Sequence, residues 1–172
     1  MAAVEDLRGV GLFRFLDDRE LEALAVHCTV KTLAKGQTLI TEGGAEHDLL
    51  VIKRGEVYVS KRTDTGRDRE LATLDGENVV GDVSMVLGTP RTASVTAKSE
   101  VEVVSLSAKA FRELLDAGNL AAYKVTRNLL EVMAQRQLRS NDRLMSFLGK
   151  DRGSKVSLEV EQLEQVLGEW GC

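Results

Sequence analysis

Histidine and cysteine occur twice each and proline once in these 172 residues, aromatic side chains are few, and no apolar run approaches a membrane span. Each shortage excludes something. Two cysteines, Cys28 and Cys172, are too few for a disulfide framework and lack metal-ligand spacing. Cys28, which the spacing places inside the first helical segment, reads as a small core residue. His27 and His47 have no His-x-His partner, which argues against a metal-dependent cupin and against any metal site. No histidine is local to Ser84, and Ser84 is not in a nucleophile elbow, so no catalytic residue is identified and the chain reads as a non-enzyme. The opening residues Met1 to Val10 are acidic and lack the apolar stretch of a signal peptide, so a cytoplasmic location and no membrane contact are expected.

A net charge of -4 leaves no basic footprint for a phosphate backbone, so direct nucleic-acid binding is not expected. Arg127, Arg136, Arg139 and Arg143 are interleaved with Glu131 and Asp142, the pattern of a solvated helix face. The length suits one hydrophobic core with terminal helices.

Asp17 and Asp18 can cap a helix from about Arg19, with Leu21, Leu24, Ala25 and Cys28 at helical spacing. From Thr29 the period changes. Runs rich in Val, Thr, Ile and Leu follow at 29–33, 38–40, 49–52, 57–61, 70–74, 92–97 and 101–106, separated by glycines such as Gly36, Gly55, Gly66 and Gly76. Short strands at near-regular spacing predict a closed or sandwiched β unit. Ser107 can cap a short helix carrying Phe111, Leu114 and Leu115, and Gly118 with Asn119 breaks it before a long helix over Leu120 to Leu148. That helix carries Val125, Leu129, Val132, Met133, Leu144, Phe147 and Leu148 as an apolar stripe, either core packing or a seam for a homodimer. The expected domain spans 1–150, long helix included, and 151–172 supplies a linker and a short amphipathic helix, Leu158 to Leu167. That remainder has room for one helix rather than a helix-turn-helix reader.

The chemistry concentrates in Val79 to Val95. A strand ends, Gly81 permits close backbone approach, a short helical turn exposes amides at Val83 and Ser84, and Arg91 follows the lone proline, Pro90. Amides at a helix N-terminus and a guanidinium make an anion cradle, with the dipole adding about 0.3–1 kcal/mol and each charge-assisted hydrogen bond about 1.5–3 kcal/mol. Asp82 in the same recess would accept from hydroxyls. Standing alone, Arg91 would be a surface arginine and Asp82 a helix cap; their spacing favours a phosphate site.

At these residues the chain resembles the cyclic-nucleotide-binding domain family, that of catabolite activator proteins and protein kinase A regulatory subunits. Gly81, Val83, Ser84, Met85, Arg91, Thr92 and Ala93 match its phosphate-binding cassette, and Gly36, Glu42-Gly43, Leu49 to Ile52 and Gly55 match its upstream pattern. The resemblance runs from about Leu7 to Leu148. It implies a mainly β fold with helices: a double-stranded β-helix, or jelly-roll-like β-roll, flanked by an N-terminal helix and C-terminal helices. It also implies a cyclic mononucleotide ligand, cAMP or cGMP, and no further cofactor. Arg91 and the amides of Ser84 and Thr92 would hold the cyclic phosphate, Gly81 and Asp82 the ribose hydroxyl. The long helix would close over the base, with Arg136 and Gln137 as the contact, and would pass its movement to an effector protein of unknown identity.

One departure bears on the ligand. The family's usual Glu is Asp82 here, which retracts the carboxylate by about 1.5 Å, one C–C bond, while a hydrogen bond stretched to about 3.6 Å is lost. Three readings remain open: a cyclic-nucleotide receptor, a roll tuned to another nucleotide, and an interaction or dimerisation module with a degenerate pocket.

Overall fold

The structure is a computed structural model that describes residues 2–150, with side chains through residue 146. The expected linker and helix over 151–172, and the side chains of Phe147 and Leu148, lie outside the described residues. In chain order the elements are α1 (Val4–Leu7), a 3-10 turn (Gly11–Phe13), α2 (Asp18–Ala25), β1 (Cys28–Leu33), β2 (Thr38–Ile40), β3 (Leu49–Arg54), β4 (Val57–Arg62), β5 (Asp68–Leu74), β6 (Val79–Val80), α3 (Asp82–Leu87), β7 (Ser94–Ala97), β8 (Val101–Leu106), α4 (Ala108–Asp116) and α5 (Leu120–Lys150).

All pairings are antiparallel and form two four-stranded sheets, ordered β1-β8-β3-β6 and β2-β7-β4-β5. Strand side chains alternate between faces, and the inward set from both sheets meets in one core: Ile40, Leu50, Ile52, Val57, Val80, Val95, Ala97, Val101 and Val103. Leu49, Val51, Val104 and Leu106 point the other way along β3 and β8 and are also fully buried, so this sheet is covered on both faces. The Arg54-Gly55-Glu56 turn carries the chain from one sheet to the other, since β3 and β4 do not pair as a hairpin. Gly55 sits at φ 91°, and a Cβ there would collide with the Glu100 carbonyl. The expected β-roll is the observed fold.

Besides strand ends that move by a residue or two, as at β3 and β5, two assignments differ from expectation. Cys28 is the first residue of β1, opposite Leu106, rather than part of a helix. It is fully buried, and burial pushes its thiol up to about 12, which makes it an inert core residue. The strand expected from Thr92 begins at Ser94, leaving Thr92 and Ala93 in the bend after Arg91.

The chain divides into two compact units, Met1–Leu130 and Glu131–Cys172. Within the first, the N-terminal segment is bonded to the start of α5. The buried Asn128 amide donates to the carbonyls of Leu12 at 2.9 Å and Arg14 at 3.0 Å, and Lys124 pairs with Glu20 at 2.7 Å. Asn128→Ala would leave the buried Leu12 carbonyl and the part-buried Arg14 carbonyl short of a donor and is expected to cost about 1–3 kcal/mol in urea unfolding. A change below a few tenths would show that water replaces the amide. Within the second unit the described residues continue α5.

On the roll, Asp6 accepts from the Ala3 amide at 2.9 Å and from Lys53 at 3.0 Å, and Lys53 meets Glu102 at 2.7 Å. The Ala3 hydrogen bond first, and Lys53 second, hold the Asp6 carboxyl below its ordinary 3.8. Glu102, with Asp6 and against the effect of burial, holds the Lys53 ammonium above its ordinary 10.5. A depressed carboxyl stabilises the fold above its unfolded value and loses that contribution as pH falls through its folded value. A raised ammonium stabilises below its unfolded value and loses it as pH rises through the folded one. Asp6→Asn is therefore expected to lower the urea midpoint at neutral pH, with the gap to the parent closing as pH falls below 3.8. A gap unchanged at about pH 2 would contradict this.

Candidate functional site

Strand β6 ends at Val80, and the chain reverses through Gly81 into α3. Gly81 is the helix N-cap at φ 84°, a left-handed conformation that glycine adopts without cost. A Cβ on it would run into Arg91 Nη1 and lie 2.9 Å from the Asp48 carbonyl. The first turn of α3 has no side-chain cap, so its amides have no partner from the N-cap side chain. Asp82 stands in that turn, where a carboxylate is favoured by the helix dipole, and is buried with Ser84 and Met85. Gly88 closes the helix at φ 66°, and Ser84 Oγ donates to the Pro90 carbonyl across the turn.

Arg91 is not a surface arginine; it is 5% exposed. Its Nη2 donates to the Asp48 carbonyl at 2.7 Å and its Nη1 to the Gly81 carbonyl at 3.3 Å. Its backbone is clasped as well, with Gly43 N–H donating to the Arg91 carbonyl at 2.8 Å and Arg91 N–H to the Gly44 carbonyl at 2.9 Å. Burial lowers the guanidinium's pKa, with Asp48 and Glu46 acting in the opposite direction. An arginine stays charged even so. The result is a desolvated cation that hydrogen-bonds to two neutral carbonyls, with the Asp48 and Glu46 carboxylates nearby and further N–H donors left for an anion.

Arg91 lines a cavity of about 320 Å³ together with Lys31, Thr38, Glu46, Asp48 and Ser105. That volume is at the small end of the range of ligand sites. Of the other expected site residues, Gly81 touches the guanidinium, Asp82 and Ser84 are buried in α3, Val83 and Ala93 are half-buried, and Thr92 is exposed beside Arg91. Arg136 and Gln137 belong to the second unit. Gln137 is exposed there and donates to Asn141 on the same helix at 3.0 Å, while the Arg136 carbonyl accepts from Ser140.

Sequence reasoning missed the loop before β3. Gly44, Glu46 and Asp48 surround Arg91, but the principal contacts run to backbone carbonyls, which every residue carries.

Residues 30–117, just over half of the chain, match the profile of the cyclic nucleotide-binding domain. The chain belongs to that family. A CRP-like cAMP-activated global transcriptional regulator of Mycobacterium tuberculosis strain H37Rv is 27% identical over 164 residues, 95% of this chain and 71% of its own length. The cAMP-dependent protein kinase regulatory subunit of Yarrowia lipolytica is 32% identical over 109 residues, 63% of this chain and 28% of its own. The crystal structure of a cyclic nucleotide-binding domain from Methylobacillus flagellatus superposes with a TM-score of 0.73 at 28% identity, covering 88% of this chain and 84% of that one. Both named relatives are regulatory proteins rather than enzymes. Among the described residues no cluster of three or more His, Cys, Asp or Glu is placed to hold a metal ion, and no helix is long and apolar enough to cross a membrane.

Proposed function

We propose that this cyclic nucleotide-binding domain senses a cyclic mononucleotide through Arg91 and converts occupancy into a movement of its C-terminal helices that an effector protein reads. The observation that carries this reading is the buried guanidinium packed against a left-handed glycine, with two of its N–H donors on backbone carbonyls. The guanidinium's other N–H donors suit the chemistry of an anion. Arg91 and the amides of Ser84 and Thr92 take the cyclic phosphate, and Gly81 and Asp82 take the ribose hydroxyl. Arg136 and Gln137 on α5 are the proposed base contact.

The names of the Mycobacterium and Yarrowia relatives favour cAMP over cGMP. Thermal unfolding with increasing cAMP and, separately, cGMP tests the reading. A ligand that binds only the folded state stabilises by about 2.7 kcal/mol at one hundred times its Kd, so the midpoint should climb steadily with cAMP and less with cGMP. A midpoint unmoved by millimolar amounts of either would overturn the receptor reading and favour an interaction module with a degenerate pocket.

A second copy is the partner that α5 suggests. Leu120, Tyr123 and Leu130 are exposed at its start, and Leu138 and Met145 further along. Exposed apolar side chains along one helix are what a homodimer seam would cover, and sedimentation across a concentration range reads the outcome.

A further inference from the structure

Asp48 is bonded in two directions. Its backbone carbonyl accepts from Arg91 Nη2 at 2.7 Å, and its side-chain Oδ1 accepts from the Ala108 amide, in the first turn of α4, at 3.1 Å. That amide is one of the donors a helix start leaves without an internal partner, and Ser107 Oγ caps a different one, Ala110 N–H. The loop carrying Asp48 is clasped to the Arg91 backbone through Gly43 and Gly44, so it follows the arginine closely. Asp48 is half-buried, which limits competition from water for both bonds.

We propose that Asp48 is a positioning residue that transmits the state of the Arg91 guanidinium to the start of α4. The inference rests on Arg91 being the anion-binding group. A guanidinium has five N–H donors in a fixed plane, and two of them serve the Asp48 and Gly81 carbonyls. An anion engaging the rest reorients the plane and draws on the Asp48 carbonyl. The same residue's carboxylate then shifts at Ala108, from which α4 runs to the Gly118 break and α5. The coupling needs the Oδ1 acceptor rather than the negative charge, so asparagine should preserve it and alanine should abolish it.

The test follows the Ala108 amide resonance in the ¹⁵N-labelled full chain, first without ligand. Arg91→Ala, with Arg91→Lys as a second variant that keeps a cation but not the fork, is expected to move that resonance while distant strand amides stay in place. In an Asp48→Ala background the same arginine substitution should no longer move it. With cAMP added, the parent and Asp48→Asn should show a ligand-dependent shift at Ala108, and Asp48→Ala should bind without it. An Ala108 resonance indifferent to both arginine substitutions, or one that cAMP moves equally in Asp48→Ala, would overturn the proposal. Failure of cAMP to bind the parent would refute the receptor reading instead, and the ligand-free comparison would still decide the role of Asp48.

Discussion

Replacing Arg91 with alanine is expected to weaken cyclic-nucleotide binding at least about 100-fold and to make the domain measurably less stable. The binding loss follows from charge-assisted hydrogen bonds worth about 1.5–3 kcal/mol each, against about 1.4 kcal/mol per tenfold in affinity. The stability loss is a consequence of burial. Two carbonyls, of Gly81 and Asp48, lose their guanidinium donor, which costs about 1–3 kcal/mol. Removing a desolvated cation offsets part of that. The substitution is thus not silent for the fold, and calorimetric titration must be read beside a urea melt. A variant that lost stability but bound as tightly as the parent would make Arg91 a structural strut.

Gly81→Ala is expected to be as damaging by a different route. A non-glycine residue at φ 84° carries left-handed strain of about 1–2 kcal/mol. Its Cβ would also press on Arg91 Nη1 and approach the Asp48 carbonyl to 2.9 Å, so the guanidinium must leave its position. A total of roughly 2–4 kcal/mol in stability and a tenfold or greater loss of cAMP affinity are expected. Gly88 provides the control: it is left-handed too, at φ 66°, but nothing lies within 4 Å of its added Cβ. Gly88→Ala should show the strain alone and bind nearly as the parent does. Equal effects at the two glycines would mean that the contact with Arg91 does not matter.

Most strands were legible as runs of β-branched and aliphatic residues, several of them bounded by glycine or a charged turn, and the runs over 38–40 and 101–106 coincide with β2 and β8. The helix starts were legible through Asp17, Ser107 and the Gly118-Asn119 break. Cys28 was misplaced because it lies four residues after Leu24, which continues a helical stripe. Pairing with Leu106 across the sheet overrides that local spacing. The short α1 helix and the 3-10 turn have too few residues to show a period. They are fixed by the burial of Leu7, Leu12 and Phe13 and by the Asn128 amide far along the chain.

At the site, Gly81 and Arg91 could be found from sequence because side-chain identity matters at both positions. Their packing against each other, and the loop of Gly43, Gly44 and Asp48 around the arginine, could not. The loop contacts are made by backbone atoms 43 or more residues away along the chain, and the Gly81 contact is to its carbonyl rather than to a side chain. Asp82 is intermediate: the pattern located it, and the structure buries it in the first turn of α3.

The most direct measurement is calorimetric titration of the full chain with cAMP. A cyclic-nucleotide receptor should give saturable heat at one nucleotide per chain, with a Kd in the micromolar range or below. Absence of heat at several temperatures, with no competition by cGMP, would contradict it and leave a β-roll whose buried arginine serves the fold alone.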